Sequence, residues 1–198
     1  MTPNELVFVS RNSHKIAEIN QLLNQTPFEV VGLEAIFFDQ DIEETAETIA
    51  GNAILKAKTI ADGFAELNCF ADDTGLEIEA LGGQPGVYSA RFAGEPPDSQ
   101  KNIEKVLSLM AQQTNRKAQF KTVICLYFDH KQHLFEGIVA GKIIENGRGE
   151  GGFGYDSIFV PKGYDQTFAQ MPAALKNQIS HRAIAINKMI DFLTGHYF

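Results

Sequence analysis

The sequence predicts a mixed α/β fold in which helices flank a twisted sheet. Two observations carry that prediction. Apolar runs of strand length alternate with segments whose apolar residues recur at helical spacing. In addition, Phe120 to Phe128 and Leu134 to Ile144 are rich in β-branched and aromatic residues and are separated by the polar Asp129-His130-Lys131-Gln132, the pattern of an antiparallel hairpin. A hairpin excludes a purely parallel, doubly wound sheet. The 198 residues suit one domain spanning 1–198, and they contain neither an internal repeat nor a linker.

The elements follow in order. Leu6 to Val9 is a short apolar strand, Ser10 to Ser13 a tight loop, and Ile16, Ile19, Leu22 and Leu23 mark a first helix. A second helix is expected from about Thr45 to Phe64, with Ile49, Ala53, Ala57 and Ile60 on one face and an acidic N-terminal flank. Phe70 to Gly75 reads as a loop carrying carboxylates, and the alternation in Leu76 to Leu81 as a half-buried strand. Asp98 or Ser99 caps a helix with the face Ile103, Val106, Leu107 and Met110. The hairpin comes next, then five glycines between Gly147 and Gly154, a strand Ile158 to Val160, and a last helix capped by Ser180.

Composition narrows the function. Apolar residues make up 44% of the chain and charged residues 21%, as in globular proteins rather than disordered or fibrous ones. No apolar run approaches the ~20 residues that cross a bilayer, so no membrane partner and a cytoplasmic location are expected. The formal charge of −8 repels nucleic acid polymers while leaving room for a small anion in a local pocket. Cys69 and Cys125 lie in apolar segments without metal-ligand spacing and are read as buried thiols in a reduced compartment.

Four clusters put polar or glycine residues at the ends of apolar elements, where ligand sites in α/β proteins form. Ser10, Arg11, Asn12, Ser13, His14 and Lys15 stand at a strand-to-helix junction, where free N–H groups, the helix dipole and two cations favour phosphate; an ordinary N-cap with solvated basic residues is the plain alternative. Asp39, Asp41, Glu43, Glu44 and Glu47 offer oxygen ligands for Mg²⁺, although the helix macrodipole alone also favours acids there. Asp72 and Asp73 are adjacent in an extended segment, so one can enter a site while the other ties down the chain; a local turn accounts for the pair equally well. The fourth cluster joins the glycines before Phe153, Gly154, Tyr155 and Asp156 with Lys176, Asn177, Ser180, His181 and Arg182. It offers close backbone approach, stacking rings and hydrogen-bonding groups for a base, against a glycine-rich turn and a capped helix as the alternatives. Together the clusters supply the parts for hydrolysing a nucleotide phosphate.

These motifs resemble, nearly end to end, those of the Ham1-like inosine triphosphate pyrophosphatases. Ser10 to Lys15 with Glu18 is similar to the family's N-terminal signature, and Glu43-Glu44-Thr45 with Asn52-Ala53 and Lys56-Ala57 to its acidic helix. Ala71 to Leu76 with Pro85 to Arg91 is similar to its central motif, and Gly152 to Asp156 and Ser180 to Arg182 to its C-terminal motifs. The resemblance implies a homodimer of two-lobed subunits with the active site in a central cleft. It also implies Mg²⁺-dependent hydrolysis of inosine, deoxyinosine and xanthosine triphosphates to monophosphate and pyrophosphate, which cleanses the nucleotide pool. By the same resemblance Asp73 is proton acceptor and metal ligand, Glu43 a second metal ligand, and Ser10 to Lys15 the phosphate site. Thr74, Phe153 to Asp156, Lys176, His181 and Arg182 would contact the nucleotide.

The chain departs from the family pattern at Ala46 for glycine, Gly51 for glutamate, Thr74 for serine, Ser157 for proline and Gln170 for glutamate. Two rival readings are a Maf-like pyrophosphatase for modified pyrimidine nucleotides and a nucleotide sensor without catalysis.

Overall fold

The computed structural model describes residues 4–24 and 26–197. Its strands are β1 (Glu5–Phe8), β2 (Glu29–Val31), β3 (Cys69–Ile78), β4 (Lys117–Phe128), β5 (Lys131–Ile143) and β6 (Phe159–Pro161). The helices are α1 (Ser13–Leu23), α2 (Ile49–Gly63), α3 (Ser99–Met110), α4 (Ala173–Ile179) and α5 (His181–Tyr197). The strand order is β2-β1-β3-β4-β5-β6. β1 runs parallel to β2 and β3, whereas β5 runs antiparallel to β6, so the sheet is mixed as expected. Asp129 and His130 join β4 to β5 with φ of 48° and 59°, the positive pair that a two-residue hairpin turn needs.

Two compact units share the chain. One comprises Met1–Asp73, Thr122–Glu136 and Arg182–Phe198, and the other Thr74–Lys121 and Gly137–His181. In the first, Leu6 and Phe8 of β1, Ile19 and Leu23 of α1, Phe70 of β3 and Ile186, Met189 and Leu193 of α5 form the core. In the second, Leu76, Val106, Met110, Phe120, Tyr155, Phe159 and Phe168 do so. Cys69 and Cys125 are fully buried, and burial pushes both thiols up to about 12. Among the described residues, no helix is long and apolar enough to cross a membrane.

Three expectations are corrected. Asp72 and Asp73 do not sit in a loop between two strands: β3 runs unbroken through them, and Glu79–Leu81 is a 3₁₀ turn rather than strand. Helix α2 begins at Ile49, where Thr48 caps it by accepting from Gly51 N at 2.9 Å. The acids of residues 39 to 47 therefore precede the helix and owe nothing to its first turn. Strand β2 and helix α4 were not expected at all, being three and seven residues long. Asp98 caps α3, as one of the two expected choices.

Candidate active site

At the start of α1, the side chain of Asn12 accepts from His14 N at 3.1 Å and Lys15 N at 3.2 Å. Two of the amides expected to be free for phosphate are thus taken by the cap itself. Ser10 Oγ accepts from Asn12 N, and Ser13 and His14 are exposed. Arg11 turns the other way, donating to Asp41 Oδ1 and to the carbonyls of Phe38 and Gln40, so it straps the acidic segment to the loop. Lys15 reaches inward to Asp72 Oδ1 at 2.9 Å. Burial lowers the Lys15 pKa, with Lys56 and Arg182 adding to the effect, and the Asp72 charge does not offset them.

Adjacent positions in β3 point to opposite faces, and the two aspartates accordingly meet different partners. Asp72 accepts from Lys15 and, through Oδ2, from Arg182 Nε at 3.0 Å. Burial alone would raise its pKa, but the charges of Lys15, Arg182 and Lys56 prevail and hold the carboxyl well below the usual range. Arg182, 1% exposed, also donates from Nη1 to Glu18. Asp73 faces α2, where Asn52 Nδ2 lies 3.4 Å from Oδ2 and Lys56 Nζ 3.7 Å from Oδ1. Burial raises the Asp73 pKa, helped by the charges of Glu44 and Asp72 and opposed by the two lysines.

Lys56 spends its donors on Glu44 Oε1 at 2.5 Å and on the Asp72 carbonyl at 2.8 Å. Glu44 is thus engaged, while its neighbour Glu43 is exposed. From sequence, Lys56, Asn52 and Glu18 stand out only as parts of motifs. A signal was present: Asn52 and Lys56 are polar residues four apart, interleaved with the apolar face of Ile49, Ala53, Ala57 and Ile60, and both are buried. Among the described residues, no three His, Cys, Asp or Glu side chains come together as a metal site on their own.

In the second unit, Thr74 follows Asp73 along β3 and is half-buried. Asp156 Oδ2 accepts from Lys176 Nζ at 2.7 Å and Phe153 N at 2.9 Å, closing the glycine-rich turn onto α4. Gly152, at φ 70°, leaves the space that Asp156 Oδ2 fills. Gly154 also has positive φ, at 59°. Lys176 lies 5.1 Å from the half-buried Phe153 ring, a cation–π contact. Tyr155 is a core residue whose hydroxyl donates to the Ser89 carbonyl at 2.8 Å. His181, 4% exposed, stacks on Phe120 with ring centroids 4.7 Å apart.

The family model described as the Ham1 family matches residues 6–192 of this chain. The chain belongs to the Ham1 family. This Ham1-family chain is 50% identical over 191 residues to a protein named dITP/XTP pyrophosphatase from Flavobacterium johnsoniae, covering 96% of this chain and 98% of the relative. It is 52% identical over 188 residues to the Flavobacterium psychrophilum protein of the same name, covering 95% and 98%. The solved Ham1 protein of Staphylococcus aureus superposes with a TM-score of 0.88 at 42% identity, covering 97% of this chain and 99% of that one.

Proposed function

We propose that this protein hydrolyses inosine, deoxyinosine and xanthosine triphosphates between the α- and β-phosphates, giving the monophosphate and pyrophosphate. The observation that carries the chemistry is Asp73: a buried carboxylate of raised pKa beside Lys56, in the same unit as the half-buried Lys15. The names of the relatives supply the substrate class.

A raised pKa makes Asp73 a better proton acceptor near neutral pH than an ordinary aspartate. Asp73 takes a proton from a water whose oxygen bonds to the α-phosphorus, and the bridging oxygen leaves with pyrophosphate. Lys15 and Lys56 face the charge that gathers on the phosphates, aided by Ser10 and Ser13 at the start of α1. The donor set fits Mg²⁺, because a hard cation takes one or two carboxylates with phosphates and water completing its shell. Asp73 and the exposed Glu43 would hold it, Glu44 being tied to Lys56. Bound there, Mg²⁺ supplies neutralisation of the triphosphate charge.

Phe153 offers a ring for stacking, and Thr74, Gly154, Asp156, Lys176 and His181 complete the nucleotide contacts. A donor aimed at the oxygen on position six rejects adenine, because two donors then face each other unpaired. The same reading makes the protein a cytoplasmic homodimer with one pyrophosphatase domain; sedimentation tests the dimer. The deciding experiment incubates protein and Mg²⁺ with the triphosphates of inosine, deoxyinosine, xanthosine, adenosine, guanosine, uridine and thymidine and resolves the products by ion exchange. Monophosphate and pyrophosphate from the first three support the reading. Diphosphate and orthophosphate, or turnover of pyrimidines alone, would overturn it.

A further inference from the structure

We propose that Asn52 is a positioning residue for Asp73, joining the acidic segment of residues 39 to 47 to the carboxylate in β3. This rests on the reading of Asp73 as proton acceptor.

Asn52 is fully buried on α2 and both ends of its amide are used. Its Oδ1 accepts from Ala46 N at 2.9 Å, and its Nδ2 donates toward Asp73 Oδ2 at 3.4 Å. A primary amide supplies an acceptor and a donor at once from two separate atoms; aspartate keeps the first and loses the second. One helical turn on, Lys56 Nζ lies 3.7 Å from Asp73 Oδ1. The two oxygens of Asp73 are therefore approached from two points of the same rigid helix, which fixes the plane of the carboxylate. Lys56 also serves Glu44 and the Asp72 carbonyl, so its hold on Asp73 is divided. Asn52 is the neutral contact, which keeps orientation without quenching the basicity that proton transfer needs. Through Ala46 N it also sets where the chain bearing Glu43 and Glu44 begins its approach to α2. At Asp73, loss of the donor frees rotation of the carboxylate and, in N52D, puts a second carboxylate against it.

The test compares kcat and KM for deoxyinosine triphosphate, with thermal unfolding, in N52D, Thr48→Ala and Asp73→Asn at fixed Mg²⁺. Because a misplacement of ~1 Å can cost ~100-fold, N52D should lose about that factor in kcat. Its KM should stay within about threefold, the pattern of an interaction felt in the transition state. Thr48→Ala loosens the same helix start, so it should lower the unfolding midpoint and leave kcat within about twofold. Normal turnover by folded N52D, or equal loss of kcat in Thr48→Ala, would overturn the positioning role. If Asp73→Asn turns over normally, the reading of Asp73 fails whatever N52D does. If only N52D is normal, the positioning role alone fails. Should N52D not fold, Asn52→Ser, which shortens the side chain away from Asp73, is judged by the same kcat criterion.

Discussion

Asp72 and Arg182, 110 residues apart in sequence, meet at 3.0 Å between Oδ2 and Nε, and the guanidinium goes on to Glu18. Both side chains are essentially excluded from water. The pair ties β3 to the start of α5 and, through Glu18, to α1. Arg182→Ala removes the guanidinium that Asp72 and Glu18 share and leaves Asp72 to Lys15. Breaking a buried pair from one side typically costs about 3–5 kcal/mol, and urea unfolding at pH 7 should show a loss of that order. A midpoint within error of wild type would mean that the network carries no stability.

The same network fixes how stability responds to acid. The folded pKa of Asp72 lies below its ordinary value of 3.8, so its contribution is present above that value and fades as pH falls through the folded pKa. Asp73, raised in the folded state, acts with the opposite sign over its own range. Unfolding free energies measured from pH 5 down to pH 2 should fall more steeply below the ordinary value in wild type than in Asp72→Asn, which has no such carboxylate to protonate. Parallel curves would show that Asp72 is not the group responsible.

Asp73→Asn separates catalysis from folding. A buried carboxylate with a raised pKa opposes folding at neutral pH, so a neutral amide of the same shape should leave the unfolding midpoint unchanged or slightly higher. Loss of the proton acceptor should lower kcat by ~100-fold to ~10,000-fold. Calorimetry and product release on one preparation check both halves. An inactive but unfolded variant would leave the fold, rather than the reaction, as what Asp73 serves.

The sequence made legible those elements whose signal is local. Strand β1, the hairpin turn at Asp129-His130 and the cap of α3 at Asp98 were all readable from residue type and spacing. The continuity of β3 was not. Aspartates are poor strand formers, and what keeps Asp72 and Asp73 in a strand is cations supplied by residues 15, 56 and 182. The departure at Gln170 becomes intelligible too. Its Oε1 accepts from Thr167 N at 3.0 Å within a capping box, a task that glutamate performs with the same oxygen. In the candidate site the residue types were legible, but which of them face each other was not. Arg11 and Arg182 look alike as basic motif letters, yet one is spent on an exposed loop and the other in the interior.

Two further departures, Ala46 and Gly51, are coupled. A Cβ built on Gly51 would lie 2.7 Å from the Ala46 Cβ and 2.9 Å from Thr48 Oγ1, so the methyl of Ala46 occupies the space that a side chain at 51 needs. In the family pattern the order is reversed, with glycine at the first position and glutamate at the second. Gly51→Glu alone should therefore destabilise the protein by about 1–3 kcal/mol, the usual cost of overpacking. In Ala46→Gly the same change should cost less, since only the Thr48 hydroxyl then has to shift and a residue with a side chain replaces glycine inside a helix. The interaction energy from the double-mutant cycle, read by urea unfolding, should amount to about 1 kcal/mol or more. Additive effects would mean that the two positions drifted independently and that the turn before α2 yields without cost. A coupled result would make residues 46 and 51 alternative ways of packing one turn, which holds the acidic segment against α2.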